Sequence, residues 1–262
     1  MYYILVIGDI VGKTGRNVLF SHLPELQKEF DINFTIVNGE NAVTRNGITE
    51  KYAYQMLEAG ADVITLGNHA FDKSDIFPML EKGDRIIRPL NYPPDRPGDG
   101  VYLTEKDGMR IAVINLIGKV YLDEKNSCPF VTGKKAVENV KDRADIIVVD
   151  FHAEATSEKQ ALGYYLDGEA TAVYGTHTHV QTNDDRILPG GTAYLTDVGM
   201  TGPVESVIGL KKEIAIPRFL GERTKTFEWA EGEAMINGIV YGIDESDFKV
   251  REMTKINRRY NG

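Results

Sequence analysis

Five apolar runs in this 262-residue chain end in side chains that can bind a metal ion, and this recurrence restricts the fold more than any other feature. Apolar runs that alternate with helical patterns predict buried, largely parallel strands, so the sequence predicts an α/β fold. The carboxyl ends of parallel strands meet at one edge of a sheet, where loops from separate strands assemble a site. The polar segments that end the runs are Gly8-Asp9, Asn38 to Asn41, Gly67 to His69, Asp150 to His152 and Gly175 to His179.

Four of the five histidines lie at the ends of these runs. His177 and His179 are two residues apart, and residues i and i+2 of an extended segment point to the same face. His69 and His152 end two other runs, whereas His22 lies in a helical pattern and is interpreted as a solvated or packing residue. This concentration favours metal binding over turn chemistry repeated at five places.

Carboxylates and amides at the same strand ends supply further donors. Asp9 and Glu40 offer hard oxygen ligands, and one carboxylate can bridge two cations. Asn41 and Asn68 add carbonyl oxygens, although each of these four residues taken alone is also common in loops. The donor set contains only nitrogen and oxygen, which suits iron, manganese, zinc or nickel and disfavours sites that need thiolate.

The stretch from Ile7 to Gly15 matches a nucleotide-binding phosphate loop only superficially. The required spacing puts the first glycine at position 7, which is occupied by Ile7, and Gly8 is one residue too close to the following Gly-Lys-Thr. The spacing therefore disfavours such a loop, and Asp9 is the functional candidate in this stretch.

We expect a single domain over residues 1–262, because no repeat, low-complexity tract or linker interrupts the chain. Residues 118–135 lack a clear hydrophobic period and are predicted to form a lid or an accessory excursion over a site. In the first helical pattern, Pro24 predicts a kink or a fresh start. The carboxyl-terminal part is predicted to contain strand segments with Gly238 and Gly242 between them.

Composition excludes several classes of protein. The single cysteine, Cys128, rules out an internal disulfide and a cysteine-based metal cluster, and it favours a reducing cytoplasm. No apolar run approaches the roughly 18 residues of a membrane span. A net charge of −9 disfavours a broad nucleic-acid interface. The basic cluster Lys255, Arg258 and Arg259 is interpreted as a solvated tail or as a contact in a homo-oligomer.

The polar segments that end the apolar runs, together with the residues around them, resemble the YmdB-like branch of the calcineurin-like metallophosphoesterases. Two positions depart from the general superfamily pattern: Val11 stands where most members carry a histidine, and Glu40 replaces the usual bridging aspartate. Both changes are what the YmdB-like branch implies. The resemblance is carried by six motifs in order, namely Gly8 to Arg16, Asn38 to Ala42, Gly67 to Asp72, Asp150 to Lys159, Gly175 to Thr182 and Thr196 to Pro203.

The resemblance implies a calcineurin-like sandwich in which two central mixed β-sheets are flanked by helices, an α/β/β/α arrangement. It makes His69 the catalytic histidine, with Asp72 placed to orient it. The implied ligand set is Asp9, Asn41 and His179 for one metal ion and Asn68, His152 and His177 for the other, with Glu40 bridging.

The resemblance also implies a metal-dependent phosphodiesterase acting on cyclic nucleotides, with 2′,3′-cAMP favoured. Two metal ions roughly 3.5–4 Å apart would supply hydroxide to attack phosphorus near neutral pH, while His69 protonates the leaving oxygen. Iron is the first expectation for the metal and manganese the next, with zinc compatible. Tyr121, Phe130 and Tyr164 are candidates for stacking on a purine, but ordinary packing is the simpler explanation for each.

Two other functions stay open at this point. One is a phosphomonoesterase or 5′-nucleotidase of the same superfamily. The other is a regulatory protein that binds nucleotide or RNA through its metal site without turnover. His69 favours catalysis over pure binding, because a binding protein needs no proton donor.

Overall fold

The computed structural model describes residues 1–44, 46–83, 85–122, 125–222 and 227–261. Within these ranges, two mixed β-sheets pack face to face, and helices cover the outer face of each sheet. This layering confirms the predicted α/β fold class and its α/β/β/α sandwich arrangement.

The first sheet carries the amino-terminal strand in its interior. Its strands are β1 (Tyr2–Ile7), β2 (Asp9–Ile10), β3 (Phe34–Asn38), β4 (Val63–Thr65), β5 (Ile86–Ile87), β12 (Met200–Pro203), β13 (Ala234–Ile243) and β14 (Val250–Tyr260). The order is β2-β12-β13-β1-β3-β4-β5, and β14 pairs with β13. Because β1, β3, β4 and β5 are parallel, their carboxyl ends meet at one edge.

The second sheet contributes another set of parallel strands. Its strands are β6 (Val101–Lys106), β7 (Met109–Ile117), β8 (Ile146–His152), β9 (Ala172–Thr176), β10 (Arg186–Ile187) and β11 (Ala193–Leu195), in the order β10-β11-β9-β8-β7-β6. β7, β8, β9 and β11 run parallel. β6 and β7 form an antiparallel hairpin, whose turn uses positive φ at Asp107 and Gly108.

Helices cover the outer face of both sheets. The helices of the described residues are α1 (Gly12–Glu29), α2 (Glu50–Glu58), α3 (Phe77–Lys82), α4 (Pro129–Val140), α5 (Thr156–Tyr165) and α6 (Lys212–Phe219), with a 3₁₀ turn at Ser74–Ile76. Residues of α1, α2 and α3 pack on the first sheet, and those of α4 and α5 pack on the second. None of the helices in the described part of the chain combines the length and the apolarity needed to cross a bilayer.

Strand β1 shows how the sequence places two cores. Ile4 and Val6 lie in the core between the sheets, whereas Leu5 and Ile7 lie in the core under the first helices. This division follows from the two-residue period of a strand. Each fully buried aliphatic side chain contributes roughly 1.5–3 kcal/mol, so the packing on both faces fixes the direction in which the strand ends.

Two expectations of a break in an element are wrong. No fresh helix starts at Pro24: α1 continues through this residue, because Leu19, Leu23 and Leu26 are buried on one face. Their burial, at about 1.5–3 kcal/mol each, outweighs the roughly 3 kcal/mol cost of an internal proline. β13 also continues as one strand through both glycines, with a shift in its register against β14 between Gly242 and Ile243. A Cβ at Gly238 would lie 2.6 Å from the Val6 carbonyl oxygen, so this glycine allows β1 to approach closely.

The basic cluster near the carboxyl terminus belongs to strand β14 rather than to a solvated tail. Lys255 Nζ lies 2.7 Å from Asp185 Oδ1, and Arg258 Nη2 lies 2.5 Å from Glu29 Oε1. The tail interpretation is therefore wrong, because strand pairing and these ion pairs fix the cluster on the fold.

Candidate metal centre

The candidate metal centre lies where the carboxyl ends of β1, β3 and β4 face those of β8 and β9. The structure brings all seven predicted ligands together there, with His69 beside them. The seven are Asp9, Glu40, Asn41, Asn68, His152, His177 and His179. Both sheets contribute, so the site depends on the whole sandwich.

The first group of donors converges on Nε2 of the fully buried His152. Glu40 Oε1 lies 2.9 Å from this nitrogen, Asn68 Oδ1 lies 3.0 Å from it, and His177 Nδ1 lies 3.0 Å from it. Ligand atoms of Glu40, His152 and His177 all lie within 4.8 Å of one another, so this group could hold a metal ion. Gly67 leaves the necessary space, because a Cβ there would overlap Glu40 Oε2 and His152 Nε2.

The second group surrounds the carboxylate of Asp9, which is fully buried. Asp9 Oδ1 has no hydrogen-bond partner among the described residues, and burial raises the pKa of this carboxyl group. His179 Nε2 lies 3.8 Å from Asp9 Oδ1 and 3.2 Å from Asn41 Nδ2. A buried carboxylate oxygen without a donor is costly unless a cation compensates it, so these residues fit a metal ion.

A chain of hydrogen bonds orients the His152 ring. Thr176 Oγ1 donates to Asp150 Oδ1 at 2.8 Å, so its single proton is committed. The hydroxyl must therefore accept from His152 Nδ1–H, which lies 2.9 Å away. Nε2 of His152 is left facing the first donor group, as expected for a metal-binding histidine whose other nitrogen is held by an outer partner.

His177 and His179 are oriented in the same way. His177 Nε2–H donates to Glu154 Oε2 at 3.0 Å, and His179 Nδ1–H donates to the Ile208 carbonyl at 2.9 Å. Each ring therefore turns its other nitrogen toward the candidate metal centre. All three histidines thus have an acceptor on the outer side and turn the other ring nitrogen toward the centre, which is the orientation that coordination requires.

Charges within the centre shift three pKa values strongly. Burial disfavours the charged form of His152, but Glu40 and Asp9 raise its pKa to about 9. Burial would raise the pKa of Glu40, but the charge and hydrogen bond of His152 lower it to about 2. Burial and the charge of His152 lower the pKa of His177 to about 3, so His177 meets Glu154 as a neutral ring. The protein groups alone thus favour one positive charge between Glu40 and Asp9.

His69 lies at the rim of the centre, where it contacts Asp72 outside the centre and Glu40 inside it. Its Nδ1–H donates to Asp72 Oδ2 at 2.8 Å, and its backbone N–H donates to Glu40 Oε2 at 3.2 Å. Asn46 Nδ2 lies 2.9 Å from His69 Nε2, while Asn46 Oδ1 is buried without a partner. Rotation of this amide by a half-turn would let Oδ1 accept a proton from Nε2–H, so Asn46 can contact either protonation state of His69.

A buried ion pair supports the loop that carries His177 and His179. These two residues have φ of 94° and 64°, which is unfavourable for side chains other than glycine. Thr178 between them donates to Asp197 Oδ2 from its backbone N–H at 3.2 Å and from Oγ1 at 2.6 Å. The same oxygen accepts from Lys159 Nζ at 2.6 Å, and both charged groups are buried. The pair therefore holds the two histidines in their unusual backbone conformation.

Replacing Lys159 by methionine is expected to destabilise the protein by about 3–5 kcal/mol, because the Asp197 carboxylate would stay buried without its cation. Urea unfolding followed by circular dichroism measures this loss. Lys134→Met is the matched control, because the exposed pair of Lys134 and Glu169 is worth about 0–1 kcal/mol. Equal effects of the two substitutions would show that the buried pair has no special role.

A cleft of about 260 Å³ opens over the centre. The three aromatic residues named as candidates for purine stacking do not line this cleft. Tyr121 and Tyr164 are exposed on the surface outside it, and Phe130 packs edge-on against Tyr165. The described residues that do line it are Glu40, Asn41, Asn46, His69, Glu154, His177, Thr178, His179, Ile208, Leu210, Phe227 and Trp229.

Several of these contacts were not predicted from the sequence. Asn46 lies in a loop well beyond the end of β3, and nothing in its local pattern distinguishes it from ordinary loop residues. Glu154, Lys159 and Asp197 do lie in two of the six motifs, Asp150 to Lys159 and Thr196 to Pro203, and their position in those motifs was the available signal.

Comparison with known proteins agrees with this geometry. The sequence matches the family described as YmdB-like protein over residues 5–256. A Bacillus subtilis protein named 2′,3′-cyclic-nucleotide 2′-phosphodiesterase is 45% identical over 97% of this chain and 96% of its own length.

Two solved structures are similar over nearly the whole fold. A novel phosphatase from Mycoplasma pneumoniae is 36% identical with a TM-score of 0.92, covering 99% of this chain and 94% of its own. A hypothetical protein from Thermus thermophilus is 37% identical with a TM-score of 0.90, covering 98% and 99%. Together with the family match, these similarities show that the chain belongs to the YmdB-like family.

Proposed function

We propose that this chain is a dinuclear metal-dependent phosphodiesterase that hydrolyses a small cyclic nucleotide, with 2′,3′-cAMP as the expected substrate. The observation that carries the proposal is the inward-facing nitrogen of all three buried or half-buried histidines beside the unpaired Asp9 carboxylate oxygen. The name of the Bacillus subtilis relative supports the substrate, and it suggests cleavage of the 2′ ester to leave a 3′-phosphate.

For the ligands we propose two sets joined by one carboxylate. The nitrogen and oxygen donors suit iron first and manganese next, with zinc compatible. The group around His152 Nε2 and the group around Asp9 are adjacent, which supports Glu40 as the bridge. The proposed sets are Asp9, Asn41 and His179 for one ion and Asn68, His152 and His177 for the other.

The chain's own residues would divide the chemistry between them. When bound, the metal ions neutralise phosphoryl charge and make hydroxide available near neutral pH. His69 would donate a proton from Nε2 to the departing sugar oxygen, because Asp72 accepts from Nδ1–H and so orients the ring. Asn46 lies at the same nitrogen and would yield its place to the substrate oxygen.

We also propose that residues 1–262 form one metallophosphoesterase domain. Support comes from the division of the ligands, since Asp9, Glu40 and Asn68 follow strands of the first sheet and the histidines follow strands of the second. Neither sheet alone could form the site. Of the segment at 118–135, the described part after Pro129 belongs to α4, which packs on the second sheet.

The proposal is tested by measuring metal content and hydrolysis on the same preparation. We expect two metal ions per chain by elemental analysis and faster hydrolysis of 2′,3′-cAMP than of 5′-AMP. A strong preference for 5′-AMP would instead identify a phosphomonoesterase. Absence of metal and of turnover, even after iron or manganese is supplied, would favour a binding protein.

A further inference from the structure

The cleft over the candidate metal centre has two chemically different ends. One end consists of polar residues of the centre, including His69, His177 and His179. The other end is apolar and consists of Ile208, Leu210, Phe227 and Trp229; we call these four residues the apolar wall. Phosphodiester chemistry at the polar end gives the apolar wall no role, so its presence requires a separate explanation.

The apolar wall is held firmly against the centre. Trp229 Nε1–H donates to the Val43 carbonyl at 3.0 Å, which satisfies the only polar atom of the indole. A Cβ at Gly12 would lie 2.8 Å from Trp229 Cδ1, so the helix start packs directly on this ring. Phe227 packs edge-on against Trp229 with ring centroids 4.8 Å apart. The ring surfaces are therefore fixed before any ligand arrives.

The apolar wall is also tied to a proposed metal ligand. The carbonyl of Ile208 accepts the hydrogen bond from His179 Nδ1–H at 2.9 Å, and Ile208 has φ of 46°. The backbone that presents the wall is thus the backbone that orients a ligand histidine. A flat ring stacked on the wall would consequently lie at a fixed offset from a phosphate at the polar end.

Charge and size restrict what the cleft can hold. None of its described lining residues is lysine or arginine, whereas Glu40 and Glu154 are acidic. A chain of phosphates needs clustered cations, so the cleft favours a ligand with one phosphate and an uncharged body. Its volume of about 260 Å³ is slightly below the range of about 300–1,000 Å³ that is typical of drug-sized ligands.

We propose that the apolar wall is the base-binding subsite of the cleft, with Phe227 stacking on the nucleobase of a mononucleotide whose phosphate lies at the metal centre. The inference rests on the proposed phosphodiesterase function, and it specifies the substrate as a nucleoside monophosphate in cyclic form. Aromatic rings bind any base through stacking, so the subsite recognises the presence of a base more than its identity.

Kinetics with a substrate that lacks the base provide the first test. Methyl riboside 2′,3′-cyclic phosphate keeps the reacting group of 2′,3′-cAMP but has no ring to stack. For the wild-type protein its KM is expected to be roughly 5- to 150-fold higher, the range that corresponds to loss of one stacked base. Phe227→Ala should raise the KM for 2′,3′-cAMP by a similar factor and leave the base-free substrate unchanged, with kcat little affected for both.

Two further variants separate stacking from general damage. Phe227→Leu keeps an apolar side chain without a flat ring, so it should fold and still show most of the KM increase. Tyr164→Ala removes an exposed aromatic side chain outside the cleft and should leave the KM of both substrates unchanged. The base-binding subsite would be overturned if Phe227→Ala raised the KM of both substrates by the same factor, or if it left the KM for 2′,3′-cAMP unchanged.

Binding measured without turnover distinguishes the two proposals. Trp229 is the only tryptophan of the chain, so its fluorescence reports occupancy of the apolar wall directly. We expect 3′-AMP to quench this fluorescence in the wild type, ribose 3-phosphate to leave it unchanged, and Phe227→Ala to weaken the quenching. Quenching by 3′-AMP without hydrolysis of any diester would support the subsite and refute the phosphodiesterase. Hydrolysis of 2′,3′-cAMP with no base-dependent quenching would support the phosphodiesterase and refute the base-binding subsite.

Discussion

Replacing His152 by alanine is expected to remove bound metal and to abolish measurable phosphodiesterase activity. Its Nε2 is the atom on which Glu40, Asn68 and His177 converge, so its loss opens the first donor group. Loss of an outer partner of a ligand typically costs about 10–100-fold in metal affinity or activity, and loss of the ligand itself should cost more. Elemental analysis and hydrolysis of 2′,3′-cAMP measure the two effects.

A stability measurement separates lost metal from a damaged fold. In the wild type, metal at about 1,000 times its dissociation constant should stabilise the fold by about 4 kcal/mol. His152→Ala should show little of this increase, even if its own unfolding is cooperative. His22→Ala is the matched control, because that ring lies on α1 beside Glu25 and Tyr260, away from the centre. Full metal content in His152→Ala would contradict the proposed ligand set.

Replacing His69 by alanine is expected to reduce hydrolysis of 2′,3′-cAMP by about 10²–10⁴-fold while metal content stays unchanged. His69 is placed as a proton donor, with Asp72 on Nδ1 and Asn46 on Nε2, where the substrate oxygen would take the place of the amide. A p-nitrophenolate leaves without protonation, whereas a sugar alkoxide does not. The loss on bis-p-nitrophenyl phosphate should therefore be much smaller than the loss on 2′,3′-cAMP.

The comparison of two leaving groups makes this test specific. A residue that acts only through the fold would impair both substrates equally. Asp72→Asn should give an intermediate loss of turnover with the same dependence on the leaving group, because the amide oxygen can still accept from Nδ1–H but forms a weaker hydrogen bond than a carboxylate. Unchanged turnover of 2′,3′-cAMP by His69→Ala would remove this residue from the mechanism.

The pattern of apolar runs was sufficient for the α/β fold class and for the strand ends, whereas the two-sheet layering was predicted from the family resemblance. The strands Tyr2–Ile7 and Ile146–His152 contain apolar runs that are almost wholly buried and that end in polar residues of the centre, so local pattern and tertiary packing agree. The proline in α1 and the glycines in β13 misled the prediction because packing overrode local propensity. Burial of the leucine face of α1 outweighed the cost of Pro24, and the close approach of β1 to β13 required glycine at position 238.

Contacts between distant segments could not be predicted in the same way. Trp229 reaches Val43 across 186 positions of sequence, and Ile208 meets His179 through a backbone carbonyl that carries no sequence signal. The apolar wall therefore became visible only in three dimensions. Asn46 was equally hidden, because its contact with His69 depends on the conformation of a loop rather than on a strand end.

The carboxylate of Asp150 lies beneath the centre and joins the two sheets. It accepts from Thr65 Oγ1 at 2.5 Å and from Asn38 Nδ2 at 3.4 Å, both in the first sheet, and from Thr176 Oγ1 at 2.8 Å in its own sheet. Burial raises the pKa of Asp150 to about 6, so it remains mostly ionised at neutral pH.

Sliding of one sheet over the other would strip a buried charge of its donors, which is costly. The spacing between the two halves of the proposed ligand set is therefore preorganised by the scaffold. A metal ion bound there would lose little free energy to ordering the site, which is compatible with neutral amides such as Asn41 and Asn68 as proposed ligands.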